Sequence, residues 1–121
     1  MKNKFSLGFF ALLISFPVFS AQLVCSGTVE VIAYHANNRL MIQLSSMNVP
    51  VFFCNPDAEW VVAGTSYTTG PDTCKTLYSA FLTTKTTKAT ISSMYFDGDQ
   101  VPASCNTWAT WQNANIRFFS F

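Results

Sequence analysis

Charge is scarce in this sequence. Charged residues make up 11% of the 121, against about 25% in an ordinary soluble chain. Nucleic acid is held by clustered Lys and Arg that displace counterions, and seven such residues against six acids exclude it as a partner. Histidine occurs once, at His35, and no two cysteines form a CxxC pair, which leaves zinc without its usual short-spaced ligands. There is no phosphate loop or dinucleotide fingerprint, and Asn113 lacks the glycosylation pattern. No carboxylate pair is placed for glycoside hydrolysis. The expectation is therefore a protein without a cofactor, a metal or enzymatic activity.

Apolar residues, by contrast, reach 50% and aromatics 16%, which excludes a disordered tail. The length allows one domain. Five of the twelve phenylalanines fall within the first twenty residues, which contain no acid. Lys2 and Lys4 precede an apolar stretch from Phe5 to Phe19, and small residues follow at Ser20 and Ala21. That order reads as a secretory signal peptide over residues 1–20, with a single domain over 21–121. The stretch is interrupted by Pro17 and is shorter than the roughly 20 apolar residues of a membrane span. No transmembrane segment is expected in the mature chain, which would be secreted or periplasmic.

Export gives the four cysteines a meaning, since small secreted domains gain from disulfides. Cys25, Cys54, Cys74 and Cys105 allow three connectivities, and their spacing does not choose among them.

The mature chain reads as strands, one helix, then strands. Residues 29–34 alternate with period two, Asn37-Asn38 makes a hairpin turn, and Leu40, Ile42 and Leu44 alternate back. Short extended runs follow at 50–54 and 59–63, and Gly64 to Gly70 reads as a loop. Pro71 suits the first position of a helix, and Asp72 suits its positive end. Cys74, Leu77, Tyr78, Phe81 and Leu82 form one apolar stripe along it. The helix should end at Thr86-Thr87. Residues 89–96 read as a fourth strand and 115–121 as a fifth, with Ile116, Phe118 and Ser120 on one face and Arg117, Phe119 and Phe121 on the other.

The expected fold is mainly β with one helix: an OB-fold, a five-stranded partly open barrel with the helix between strands 3 and 4. The helix stripe that carries Cys74 should face the barrel where Cys25 begins. On that placement the expected bridges are Cys25–Cys74 and Cys54–Cys105. Phe119 and Phe121 on the last strand are expected to be assembly contacts.

Cys25-Ser26-Gly27-Thr28-Val29, running on to Ala33-Tyr34-His35, resembles the first strand of the B subunits of the subtilase cytotoxin family. Thr76-Leu77-Tyr78 and Thr86-Thr87 are similar to that family's helix, and Tyr95 falls on a tyrosine of its following strand. The resemblance implies a pentameric OB-fold that binds cell-surface glycans, similar also to the binding subunits of pertussis-like toxins, and an enzymatic subunit as a partner. It implies that Ser26 bonds a sialic acid carboxylate and that Tyr95 contacts the sugar's N-acyl group. Where the family has an acid four positions before the serine, this chain has Gln22.

Other candidates come from the residues alone. Trp108 and Trp111 lie in a polar segment where indoles stack on sugars or plug a barrel. His35 reads as a solvent-facing turn residue, and Asp97 and Asp99 as solvated turn acids. The expected function is a secreted glycan-binding module with sialylated or related ligands. The alternative is a secreted or periplasmic interaction protein of the same fold with no sugar ligand.

Overall fold

The computed structural model describes Gly8, residues 11–14 and residues 22–121. The expected signal peptide and its cleavage site thus lie almost wholly outside the described residues. No helix among these is long and apolar enough to cross a membrane.

Among the described residues, seven strands and one helix follow in the order β1 (Gln22–His35), β2 (Arg39–Leu44), β3 (Val51–Cys54), β4 (Trp60–Val61), β5 (Thr68–Thr69), α1 (Pro71–Thr87), β6 (Thr90–Asp97) and β7 (Asn115–Ser120). Five of them form one antiparallel sheet in the order β3-β2-β1-β6-β7, while β4 and β5 pair separately. The protein is mainly β with one helix, as its alternation and single amphipathic segment require. The expected loop over 64–70 holds β5, so a small hairpin separates β3 from the helix.

At fourteen residues, β1 is too long to stay flat. Its register slips between Cys25 and Gly27 and again between Val29 and Val31. Such bulges bend a strand. The first half of β1 pairs with β6 and the second half with β2. Asn37 and Asn38 turn the β1–β2 hairpin with φ of 69° and 59°, the left-handed pair a two-residue turn needs. The segment before β7 returns beside β3, at the opposite edge of the sheet. Phe52 and Asn113 form a parallel bridge there, with Phe52 N donating to Gln112 O at 2.9 Å and Ala114 N to Phe52 O at 3.0 Å.

Leu40, Ile42 and Leu44 face the core with Val51 and Phe53 from β3 and Ile91, Met94 and Phe96 from β6. The helix buries Cys74, Phe81 and Thr84, with Leu77 and Tyr78 half-buried. Leu82, expected on the same stripe, is 39% exposed. The contact line advances through 74, 77, 81 and 84, so position 82 drifts off it and Thr84 replaces it, its hydroxyl bonded to Ala80 O. The helix ends on Lys88 in the left-handed conformation, at φ 56°.

Both disulfides form, as expected of an exported chain, but the pairs are Cys25–Cys105 and Cys54–Cys74. Neither expected bridge, Cys25–Cys74 or Cys54–Cys105, exists. The direction of α1 decides it. Its first turn lies at the end of β3, where the Cα atoms of Cys54 and Cys74 are 5.5 Å apart. Its last turns reach β1, where Lys85 Nζ donates to Glu30 O at 3.0 Å. Cys25 faces inward near the start of β1 and meets the β6–β7 loop instead.

Candidate functional site

Along the first half of β1, Leu23 and Cys25 point inward, whereas Gln22, Val24 and Ser26 are exposed. Tyr95 pairs with Val24, and Asp97 with Gln22. Ser26 and Tyr95 therefore share the outer face of adjacent strands as diagonal neighbours, a relation of about 7–8 Å in antiparallel pairs.

On β7 the register slips between the Tyr95 and Phe96 pairings, leaving Arg117 as the extra residue. The strict alternation expected for this strand therefore fails. Arg117 and the 54% exposed Phe118 both turn outward, while Phe119 packs on Phe81 at 4.9 Å. Phe119 is thus half-buried rather than exposed, and Phe118 joins Phe121 as the outward pair.

The bulge sets Arg117 among polar neighbours. Its Nε lies 3.4 Å from Asp97 Oδ2, which also accepts a 2.6 Å hydrogen bond from the Tyr67 hydroxyl. Burial, and then this bond to the carboxylate, raise the Tyr67 pKa well above the ordinary tyrosine value. Asp97 is only 7% exposed and so is not the solvated turn acid expected. Asn115, fully buried, fixes the adjoining loop: its amide donates to Thr65 Oγ1 at 3.0 Å and Tyr67 O at 3.2 Å, and its oxygen accepts from Thr69 Oγ1 at 3.1 Å. Gln22, Thr65, Ser66, Tyr67, Asp97 and Arg117 then line an open cleft of about 240 Å³. Hydroxyls, an amide, a guanidinium and a carboxylate offer donors and acceptors to a polar ligand. The half-buried ring of Tyr95 and the exposed ring of Phe118, packed edge to face at 5.7 Å, adjoin it as an apolar surface.

Of this group, sequence reasoning singled out Ser26, Tyr95 and Gln22 and missed Tyr67, Asp97 and Arg117 in any binding role. The phase of β6 carried a signal for one of them. Asp97 follows Tyr95 by two residues, so a strand continued by one residue puts both on one face.

The two tryptophans part company. Trp108 is 3% exposed and packs edge to face on Phe96 at 5.3 Å. Asn48 clamps its backbone from both sides, donating to its carbonyl at 2.8 Å and accepting from its N–H at 2.9 Å. It is a core plug and has no face for a sugar. Trp111 is 61% exposed. His35, expected in solvent, is half-buried between the rings of Phe52 and Trp111, at 5.4 and 5.1 Å.

Among the described residues no three His, Cys, Asp or Glu side chains group to hold a metal ion. No family model matches the chain, and neither curated proteins nor solved structures give a match.

Proposed function

We propose that this chain is an exported, non-enzymatic glycan-binding module and that the outer face of β1, β6 and β7 is its sugar site. One observation carries the reading. Ser26 and Tyr95, singled out by resemblance to the subtilase cytotoxin B subunits, share the outer face of adjacent strands, and the Arg117 that lies over Tyr95 lines a polar cleft. A sugar ring has hydroxyl edges and an apolar C–H face. The cleft offers partners for the edges, and Tyr95 and Phe118 offer a surface for the face. A sialylated or related glycan is the ligand class. The strand order and the bridge between Phe52 and Asn113 support an OB-type, partly open barrel for the five main strands.

The same reading makes the protein a ring-forming subunit, pentameric by resemblance, that carries an enzymatic partner to a cell surface. Its support is β7, an edge strand whose Phe118 is exposed at 54%, with Phe121 just beyond it at 72%. A glycan array on the purified, oxidised protein, with its mass from light scattering, tests both parts. Binding to acidic glycans by an oligomer is expected, and a strict monomer overturns the ring. Array silence with intact protein passes the function to the second reading, an interaction protein without a sugar ligand, which the exposed β7 edge also favours.

A further inference from the structure

Trp111 stands apart from the face just described. It lies in the β6–β7 loop and packs against the hairpin side of the sheet. It has φ 62°, a left-handed conformation that a bulky side chain seldom adopts and that clusters at functional positions. The other two tryptophans, Trp60 and Trp108, are buried at 8% and 3%, but this one keeps 61% of its surface exposed. Its ring is nonetheless held, stacked at 6.0 Å on Phe52 and edge to face at 5.1 Å with His35. Beside it, Met41, Val49, Pro50, Thr110 and the indole line an apolar hollow of about 140 Å³. The guanidinium of Arg39 lies 4.2 Å over the Phe52 ring, and its buried Nε has no hydrogen-bond partner. Among the described residues no acid lines the hollow.

We propose that this hollow seats one pyranose ring stacked on Trp111, a second sugar site separate from Ser26 and Tyr95. The chemistry matches on two sides. The indole and the apolar floor of Met41, Val49 and Pro50 suit the C–H face of a sugar. Thr110 on the lining supplies a hydroxyl for its edge. A nucleobase is also flat, but nucleic acid needs a basic track along its backbone. Arg39 is the cation of this aromatic cluster, and the chain holds only seven Lys and Arg in all. The left-handed backbone turns the indole outward over the hollow, and its contacts with Phe52 and His35 hold it there before any ligand arrives.

The test uses the one exposed indole as its own probe. A panel of methyl pyranosides at millimolar concentration is added to the purified, oxidised protein, and acrylamide quenching of tryptophan fluorescence is followed. At least one sugar should shield Trp111. Ligand-observed NMR with that sugar should show affinity falling roughly tenfold or more in Trp111→Asn, the size of a lost aromatic contact in a seated site. Asparagine tolerates the left-handed conformation, so the fold should survive the change. Tyr95→Ala, which disables the other face, should leave the shielding in place. Shielding by no sugar of the panel overturns the proposal, as does unchanged affinity in Trp111→Asn. Shielding lost in Tyr95→Ala, or given by nucleosides and by no sugar, overturns it too. The shielding measurement uses the unaltered protein and stands even where a variant misfolds.

Discussion

The guanidinium of Arg117 lies 5.1 Å from the centre of the Tyr95 ring. The β7 bulge creates this contact, since a regular strand would turn Arg117 and Phe118 to opposite faces. Arg117 thereby spans Tyr95 and Asp97, linking the aromatic part of the outer face to its polar cleft. Asp97 is the more buried partner, at 10% side-chain exposure against 46% for Arg117. Arg117→Ala should destabilise the protein by about 1 kcal/mol. It leaves a buried carboxylate with one partner fewer, while solvent at the exposed arginine screens the pair. Arg117→Lys should cost less but lose the flat stack on Tyr95. Urea denaturation of both variants checks the order, and equal stability of Arg117→Ala and the parent would refute it.

Tyr67 gives the fold an alkaline dependence. Burial and the bond to Asp97 raise its folded pKa, so the folded state holds the phenolic proton more tightly than the unfolded chain does. Its contribution is complete below the ordinary tyrosine pKa of about 10 and is lost as pH rises from there towards the raised folded value. Stability should therefore fall on the alkaline side, and Tyr67→Phe should flatten that fall. The variant should also be less stable at neutral pH by about 1.5–3 kcal/mol, the range for a hydrogen bond to a charged group. The absorbance titration of the parent minus that of Tyr67→Phe should show one phenol ionising above the ordinary range.

The two disulfides close loops of very different length, with sequence separations of 80 and 20. In the chain-entropy account, removing the longer should cost about 4.5 kcal/mol and the shorter about 3.3 kcal/mol. Replacing each pair by alanine and comparing urea midpoints tests the order. Non-reducing peptide maps should show Cys25 joined to Cys105 and Cys54 joined to Cys74.

Elements set by local chemistry were legible in the sequence. Pro71 and Asp72 marked the helix start to the residue, and Asn37-Asn38 marked a hairpin turn that needs two positive φ values. Relations between distant segments were not. The disulfide pairing depends on which end of α1 meets β3, and residue periodicity carries no direction of packing. The β7 bulge adds one residue against β6, and that residue, Arg117, is set by pairing rather than by any local signal. Trp108 and Trp111 sit three residues apart in one polar segment, yet one is a core plug and the other is exposed. Asn48 decides this from sixty residues away by bonding both backbone groups of Trp108. Of the candidate site, Ser26 and Tyr95 were reachable through resemblance, but the cluster of Tyr67, Asp97 and Arg117 needed the register.

Ser26 and Gly27 are neighbours whose substitutions should separate binding from folding. Ser26 is exposed and makes no side-chain hydrogen bond among the described residues, so Ser26→Ala should change stability by less than about 0.5 kcal/mol. In the proposed site it should still lower glycan affinity roughly ten- to a hundredfold, the loss of a bond to a charged carboxylate. Gly27 is different. It sits at φ 132° where the β1–β6 register slips across a β6 bulge, and a Cβ there would collide with Ser45 Oγ. That hydroxyl accepts the Thr28 N–H at 3.0 Å, and Ser45 N donates to Thr28 O at 2.8 Å, so the collision falls on the link between β1 and the end of β2. Gly27→Ala should therefore destabilise by about 1–3 kcal/mol, the range for a residue forced into a sparsely populated backbone region. Urea midpoints and glycan affinity measured on both variants give the pattern. A Ser26→Ala protein that unfolds early gives that serine a structural role. A Gly27→Ala protein as stable as its parent would show that the bulge relaxes without loss.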